Sequence, residues 1–407
     1  MKVYLRTYGC RANQYDSEQV RALVESTGGV IVDDPAHADT AVFNSCAVTA
    51  EAESELRKGI RNAARSNASL RTVVMGCAAA LDRGQLAALP TVSAVVAGGD
   101  ALGAVQSLGL VPGPGAIATG QQNTRALLRI QDGCDEHCTF CATTLARGAN
   151  RSRPADLLVE EARSLAGRHP EIVLTGIHIG TWGQDTGSTL GALMTRLVRE
   201  IPGVRFRLSS VEATEVDEQL RELFSEPSRL VPHLHAPLQS ASDRVLKRMG
   251  RHWYTKATYA NAVERLLRDN SVFCFGADVI AGFPGESEAD HRETVDFVGA
   301  LPFTYLHVFH YSARPGTAAT RLPNQVDGTT ARRRSQELRS MGEARSLAYR
   351  ARRAGGVADV VVVRGDRREG LTEDYLPVDL EGSRLPRGTR LNARLAEGRD
   401  RLIAIPT

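Results

Sequence analysis

Cys134, Cys138 and Cys141 are separated by three and then two residues. A loop that short converges three thiolates on one centre without help from distant sequence. Three is the informative number. A structural zinc site takes four protein ligands in a closed shell. An iron–sulfur cubane held by three cysteines keeps one iron open, able to bind and activate a small molecule. Zinc and three unrelated thiols are the competing readings, and the tight spacing weighs against both. A second set, Cys10, Cys46 and Cys77, lies 36 and 31 residues apart, so only the fold can bring it together. The seventh cysteine, Cys274, sits between Phe273 and Phe275, follows no motif and reads as a core residue.

The segments around these cysteines alternate strand and helix. Residues 2–8 alternate as a strand, Asn13 to Thr27 carry helix-spaced Val20, Leu23 and Val24, and Gly28-Gly29 stops that helix. Val30–Val32, Thr40–Phe43 and Thr72–Met75 are further compact apolar runs. The pattern predicts an α/β unit over residues 1–105, a parallel doubly wound sheet of the flavodoxin type. Cys10, Cys46 and Cys77 each fall one to three residues beyond a strand, at the sheet edge where such folds bind ligands. Three buried structural cysteines are the competing reading. Residues 106–124, rich in Gly, Pro and polar residues, read as a linker.

Arg125 to Gln131 then reads as a strand broken by Asp132-Gly133, directly before the tight cysteine loop. Further strands are expected at 172–175, 205–210, 233–238, 275–280 and 305–311, with helices between them. Six strands with crossovers over residues 125–328 predict a partial parallel (β/α)6 barrel, with its active site at the strand C-termini. His233, His235, His307 and His310 lie on the strand patterns and read by default as core or pocket-wall residues. A basic connecting helix is expected over 329–354, ended by Gly355-Gly356. Short β-like runs over 355–407 predict a small five-stranded barrel, with Tyr375 its main aromatic for base stacking.

Composition excludes little but frames the rest. At 407 residues, 42% apolar and 24% charged, the chain has the make-up of a soluble globular protein with two or three domains. No apolar run approaches the roughly 20 residues that span a bilayer, and MKVYLRTYGC has no signal-peptide core. A cytoplasmic protein without membrane partners is the expectation, and seven cysteines then argue for metal or catalytic thiols over disulfides. The net charge of +3 is too small to imply nucleic acid. The charge is uneven, however, with 17 Arg against 11 acidic residues in 328–407, a surplus where an RNA backbone could be held. A solvated Arg-rich helix face fits the same charge pattern.

Residues 125–148, RALLRIQDGCDEHCTFCATTLARG, resemble the cluster loop of the radical S-adenosylmethionine (SAM) enzymes, with Phe140 just before the third cysteine. YGCRANQYDSE, FNSCAVTAEAE and VVMGCAA resemble the second cluster-binding segments of the methylthiotransferase family, and Asn13-Gln14-Tyr15 is most like the branch acting on threonylcarbamoyladenosine in tRNA. The resemblance implies two [4Fe–4S] clusters, one on each cysteine triad and each with an open iron, and SAM as cofactor. In the family, the open iron of the Cys134/Cys138/Cys141 cluster chelates SAM, which is split to methionine and a 5′-deoxyadenosyl radical. The other cluster holds or delivers sulfur. The six-stranded core and a terminal RNA-binding TRAM domain are implied as well, with tRNA, a flavodoxin- or ferredoxin-like electron donor and a sulfur source as partners. The expected reaction is 2-methylthiolation of N6-threonylcarbamoyladenosine beside the anticodon. Isopentenyladenosine, a ribosomal-protein aspartate and a non-catalytic RNA-binding iron–sulfur protein stay open as alternatives.

By position past the strands, Gly176 is expected to let the backbone approach the SAM amine, and Ser210, Glu212 and Gln239 to contact the cofactor, as is Phe140. The chain departs from the family at Ala142-Thr143-Thr144-Leu145, and at Ala236 and Ala241, which puts the pocket's shape beside the cluster in doubt.

Overall fold

The computed structural model describes residues 1–48, 50–113, 120–225 and 229–407. Thr49 of the second N-terminal segment and residues 114–119 of the expected linker lie outside the described residues. Strands β1 (Lys2–Thr7), β2 (Val30–Val32), β3 (Thr40–Ser45), β4 (Arg71–Gly76) and β5 (Val92–Val95) form one parallel sheet in the order β2-β1-β3-β4-β5. That is the flavodoxin-type order expected from the alternation. Helix α1 (Arg11–Ser26) covers one face, setting Val20 and Val24 against Val3, Val42 and Val73. On the other face α2 (Ala50–Ser66) sets Leu56 and Ile60 against Phe43 and Val74. Both faces are therefore covered, which is why β3 is buried at every residue. The short α3 (Cys77–Ala80) leaves the end of β4, and α4 (Ala101–Ser107) closes the unit.

The middle of the chain is a split barrel. β6 (Arg125–Arg129) is followed by β7 (Gln131–Asp132), which pairs antiparallel with β8 (Arg151–Ser152). β9 (Glu171–Thr175) and β10 (Arg205–Leu208) join β6 in one parallel sheet, and β11 (His233–His235), β12 (Cys274–Ala281) and β13 (Tyr305–His310) form the next. Bridges Phe206–Leu230 and Ser210–His235 link the two sheets. Helices α5 (Thr143–Arg147) to α11 (Glu288–Ala300) fill the crossovers. Two of them, α10 (Lys256–Leu267) and α11, start in capping boxes, Thr255 with Thr258 and Ser287 with Asp290.

Because side chains alternate along a strand, the outward residues Leu128, Leu174, Phe206, Phe275 and Val279 pack in the main core. Among the inward ones are charged residues. Glu171 lies fully buried between Arg205 (2.7 Å) and Arg207 (2.8 Å), with Arg125 at 3.3 Å. Arg205 also donates to the Asp359 and Leu371 carbonyls, so the same knot ties the barrel to the C-terminal unit. Burial alone would raise the Glu171 carboxyl, but Arg207, Arg205 and Arg125 outweigh it and hold it well below the usual range. Its contribution is therefore present above the unfolded carboxylate's pKa of about 4.3 and is lost as pH falls through the lower folded value. Glu171→Gln leaves two buried guanidinium groups short of charge and should cost about 3–5 kcal/mol. A drop in thermal midpoint at pH 7 that narrows in acid is the expected result, and an unchanged midpoint would show the knot to be neutral.

Helix α12 (Gly328–Arg353), capped by Asp327, crosses to a closed barrel of β14 (Val357–Arg364), β15 (Glu369–Thr372), β16 (Pro377–Leu380), β17 (Arg390–Ala396) and β18 (Leu402–Pro406). Arg332 and Arg352 of the helix are exposed and form no ion pair among the described residues, but its other arginines are bonded within the fold. Arg334 pairs with Glu286 at 2.9 Å, Arg353 with Asp374 at 2.6 Å and Arg333 with Glu288 at 2.8 Å, while Arg339, Arg345 and Arg350 donate to carbonyls of other elements. Tyr375 is a second correction. With φ +68° its ring turns inward, 4.5 Å from the His233 ring and under Arg207, and its hydroxyl accepts from Arg11. It plugs the bottom of the split barrel and is not presented to a base. Among the described residues no helix is long and apolar enough to cross a membrane.

Candidate functional site

The loop after β6 is closed at its base by the β7–β8 pair, and Cys134 N–H donates to the Gly148 carbonyl at 2.9 Å. Gly133, at φ +73°, allows this closure, since a Cβ there would collide with the Ala149 carbonyl. The rest of the loop is held from outside, with Thr139 N–H on the Met249 carbonyl at 2.8 Å and the Thr139 hydroxyl on Arg248. Cys141 N–H donates back to Cys138 O, and Cys138 senses the charge of both other cysteines. Burial pushes the Cys138 thiol up to about 12, against the pull of Arg251, whose guanidinium lies 3.5 Å from Sγ. Arg251 is in turn held by Glu212 and by the Tyr254 hydroxyl. His178 stands 3.6 Å from Cys134 Sγ and 2.7 Å from Glu215. Burial pulls its imidazole down, but Cys134, Glu215 and Glu212 prevail and raise it to about 11.

Cys10, Cys46 and Cys77 follow the ends of β1, β3 and β4 at one edge of the sheet. A Cβ on Gly9 would sit 2.7 Å from Cys46 Sγ, so the Cys10 loop packs directly on Cys46. Cys46 and Cys77 are buried while Cys10 is exposed, and each buried thiol feels the charge of Cys10. Burial raises Cys46 to about 11 and Cys77 in the same direction. Asn13 knots the loops, donating to the Tyr8 and Ser45 carbonyls.

One side chain from the cysteine loop's own helix reaches the N-terminal triad. Arg147, six residues beyond Cys141, is buried with Nε 3.3 Å from Cys77 Sγ and further bonds to Asn13 (2.8 Å), Asp16 (2.7 Å) and Asp132 (3.4 Å). Its charge lies against a thiol of the N-terminal unit while its backbone belongs to the other loop.

The remaining expected residues are placed differently. Phe140 stands edge-on to Phe283, 6.2 Å between centroids. The space a Gly176 side chain would take is filled by Gln131, whose Oε1 accepts from the Ile177 and His178 N–H groups. Glu212 accepts from Trp253 Nε1 at 2.5 Å as well as from Arg251, so it positions Arg251 beside Cys138 and offers no free oxygen pair. Ser210 is exposed at the bridge to His235. Gln239 adopts φ +61° and bonds through its backbone to Asp278 and Ile280. Cys274 is buried against Thr304, a core residue as read. His233 and His235 are buried, whereas His307 and His310 are exposed. Arg147, Arg251 and Asp16 escape a sequence reading, because nothing distinguishes one arginine from 46.

Both triads fit an iron–sulfur cluster by their donor chemistry. Burial raises the thiols of Cys46, Cys77 and Cys138, and a bound metal takes the place of the proton on such a ligand. Among the described residues no fourth cysteine joins either set, which leaves an open coordination position.

Residues 2–98 match the uncharacterized protein family UPF0004, and residues 128–298 match the radical SAM superfamily. The chain is 33% identical over 404 residues to the threonylcarbamoyladenosine tRNA methylthiotransferase MtaB of Thermotoga maritima, covering 94% of this chain and 92% of that protein. It is 32% identical to the Bacillus subtilis protein of the same name, covering 94% and 90%. With the tRNA-2-methylthio-N(6)-dimethylallyladenosine synthase of Sphingopyxis alaskensis it shares 31% identity, covering 90% and 88%. Among solved structures, the radical SAM methyltransferase TsrM from Kitasatospora setae aligns with a TM-score of 0.56 at 15% identity over 75% of this chain and 72% of that one, a likeness of fold. The chain belongs to the radical SAM methylthiotransferase family.

Proposed function

We propose that the protein is the tRNA methylthiotransferase that converts N6-threonylcarbamoyladenosine to its 2-methylthio derivative, using SAM and two [4Fe–4S] clusters. The single observation that carries the reading is the presence of two cysteine triads, with Arg147 of the loop's helix against Cys77 of the other, within a chain matched almost end to end by relatives named for this reaction. Cys134, Cys138 and Cys141 would hold the cluster that binds SAM, and Cys10, Cys46 and Cys77 the other. When bound, the clusters supply the electron that splits SAM and a place to hold sulfur. Carbon 2 of adenine carries an inert C–H that no side-chain base removes at neutral pH, which is why such chemistry is required.

The protein's own part is positioning. Arg251 and His178 place positive charge beside Cys138 and Cys134, Arg147 does so beside Cys77, and a cluster that gains an electron is favoured by such neighbours. RNA would be held by the C-terminal barrel. Arg367, Arg368, Arg384, Arg394 and Arg399 are exposed there and form no ion pair among the described residues, so they remain for phosphates. An electron donor and a sulfur source complete the reaction.

Mass spectrometry of tRNA nucleosides from a strain lacking the gene tests the reading. The 2-methylthio form of threonylcarbamoyladenosine should disappear, its precursor should accumulate, and the intact gene should restore it. Loss of 2-methylthio-dimethylallyladenosine instead would assign the chain to the other branch.

A further inference from the structure

The inward faces of β11, β12 and β13 divide the barrel lumen into a closed bottom and an open top. At the bottom the Tyr305 ring lies flat across Gly276, where any Cβ would collide with it. Its hydroxyl bonds to His233 Nε2 and His235 Nδ1, both at 3.0 Å, and Tyr375 packs beneath. One layer higher, Asp278 Oδ1 lies 2.9 Å from His235 Nε2 and 3.4 Å from His307 Nδ1. The lumen is open from this layer upward. The His307 side chain is 57% exposed although it lies mid-strand, and Phe309, next on the same face and paired with Ile280, is 46% exposed. In a parallel barrel the C-terminal ends of these strands share a rim with that of β6, where the cysteine loop sits.

Two polar atoms of this layer are left without partners among the described residues. Both imidazoles use Asp278 Oδ1, so Oδ2 is free to accept a hydrogen bond. Nδ1 of His307 is committed to Asp278, so Nε2 is the ring atom left for a ligand. Asp278 stays ionised below the usual carboxylate range: burial would raise it, but the hydrogen bonds from His235 and His307 outweigh that.

The inference rests on the reaction proposed above. Carbon 2 must face the cysteine loop, and the N6 position is meta to it on the ring, so the N6 substituent points away from the loop and down the lumen. Phe309 offers an apolar face to the base on that path. A threonylcarbamoyl group carries a carboxylate, N–H groups and a hydroxyl, whereas a dimethylallyl group has no polar atom. We propose that His307 and Asp278 form the subsite that reads the N6 substituent, His307 Nε2 hydrogen-bonding to one of its polar atoms and Asp278 Oδ2 accepting from its N–H or hydroxyl. His235 is a positioning residue that fixes Asp278. An apolar substituent would leave both groups desolvated and unpaired, the situation in which a hydrogen-bonding site rejects an analogue most strongly.

The same His, Asp and His ligand atoms lie within 4.8 Å of one another and could also take a divalent cation. The experiment separates the two. Full-length reconstituted protein is given anticodon stem-loop RNAs whose target adenosine is threonylcarbamoylated or dimethylallylated, and methylthio product is measured for wild type, His307→Phe and His307→Gln. Iron content checks that each variant carries its clusters. Wild type should prefer the threonylcarbamoyl RNA, His307→Phe should shrink the preference by about tenfold or more, and His307→Gln, which keeps a donor, should recover part of it. A His307→Phe enzyme with the wild-type preference would overturn the subsite. So would a preference that appears only when Zn2+ or Mn2+ is added, which would assign the cluster to a metal. A wild type that shows no preference fails the substrate reading above and is told apart from these outcomes by the wild-type arm alone.

Discussion

Cys138→Ala will take 5′-deoxyadenosine formation from SAM down to background under reductant. The loop has no spare ligand, since Cys134 and Cys141 are its only other thiols and Cys274 is buried in β12 against Thr304. The substitution removes the most enclosed of the three, the one that faces Arg251. A two-cysteine remnant cannot keep a cubane in the geometry that leaves one iron open for chelation. The fold should survive, because the loop is held by backbone bonds at Cys134, Thr139 and Cys141 that an alanine at 138 does not touch. Iron content should fall to about half, roughly four per chain, from the N-terminal triad alone. SAM cleavage at the wild-type rate would end the assignment of this loop.

How far these sites were legible follows from the range over which each signal acts. The tight triad is local, so its spacing alone carried the reading. The dispersed triad became legible through topology, because three cysteines share one place past three parallel strands and the sheet has the order that alternation implies. Strong apolar runs located the barrel strands to within a few residues. Weak ones did not announce themselves: β5 follows Thr91 at φ +65°, β15 is a four-residue EGLT, and β7 and β8 are two residues each.

Side chains that act across the fold left no trace in the sequence. Arg147 meets Cys77 over a separation of 70 residues and Arg251 meets Cys138 over 113. Charge counting alone could not say which arginines of 328–407 are free. An arginine-rich helix reads the same whether its guanidinium groups face solvent or bond to Glu286, Glu288 and Asp374, as those of Arg334, Arg333 and Arg353 do. Tyr375 shows the same limit, since one left-handed residue turns an expected stacking ring into a plug.

Replacing Cys10, Cys46 and Cys77 together by Ala should separate the two halves of the chemistry. Cys46 and Cys77 share a core with Phe43, Leu56, Ile60 and Val74, and alanine removes only one sulfur atom at each site and leaves the larger residues in place. One cluster should be lost, again halving the iron. The other loop should keep its shape, because Arg147 gives up only the Cys77 contact and retains Asn13, Asp16 and Asp132. SAM cleavage should therefore continue while methylthiolated nucleoside falls to background, unlike Cys138→Ala, which loses both. Electron paramagnetic resonance of the reduced protein should show the signal of one cluster, still perturbed by added SAM. If the triple variant stops cleaving SAM while retaining half its iron, the loops are not independent, and the Arg147–Cys77 contact must then be what holds the SAM-binding loop in working order.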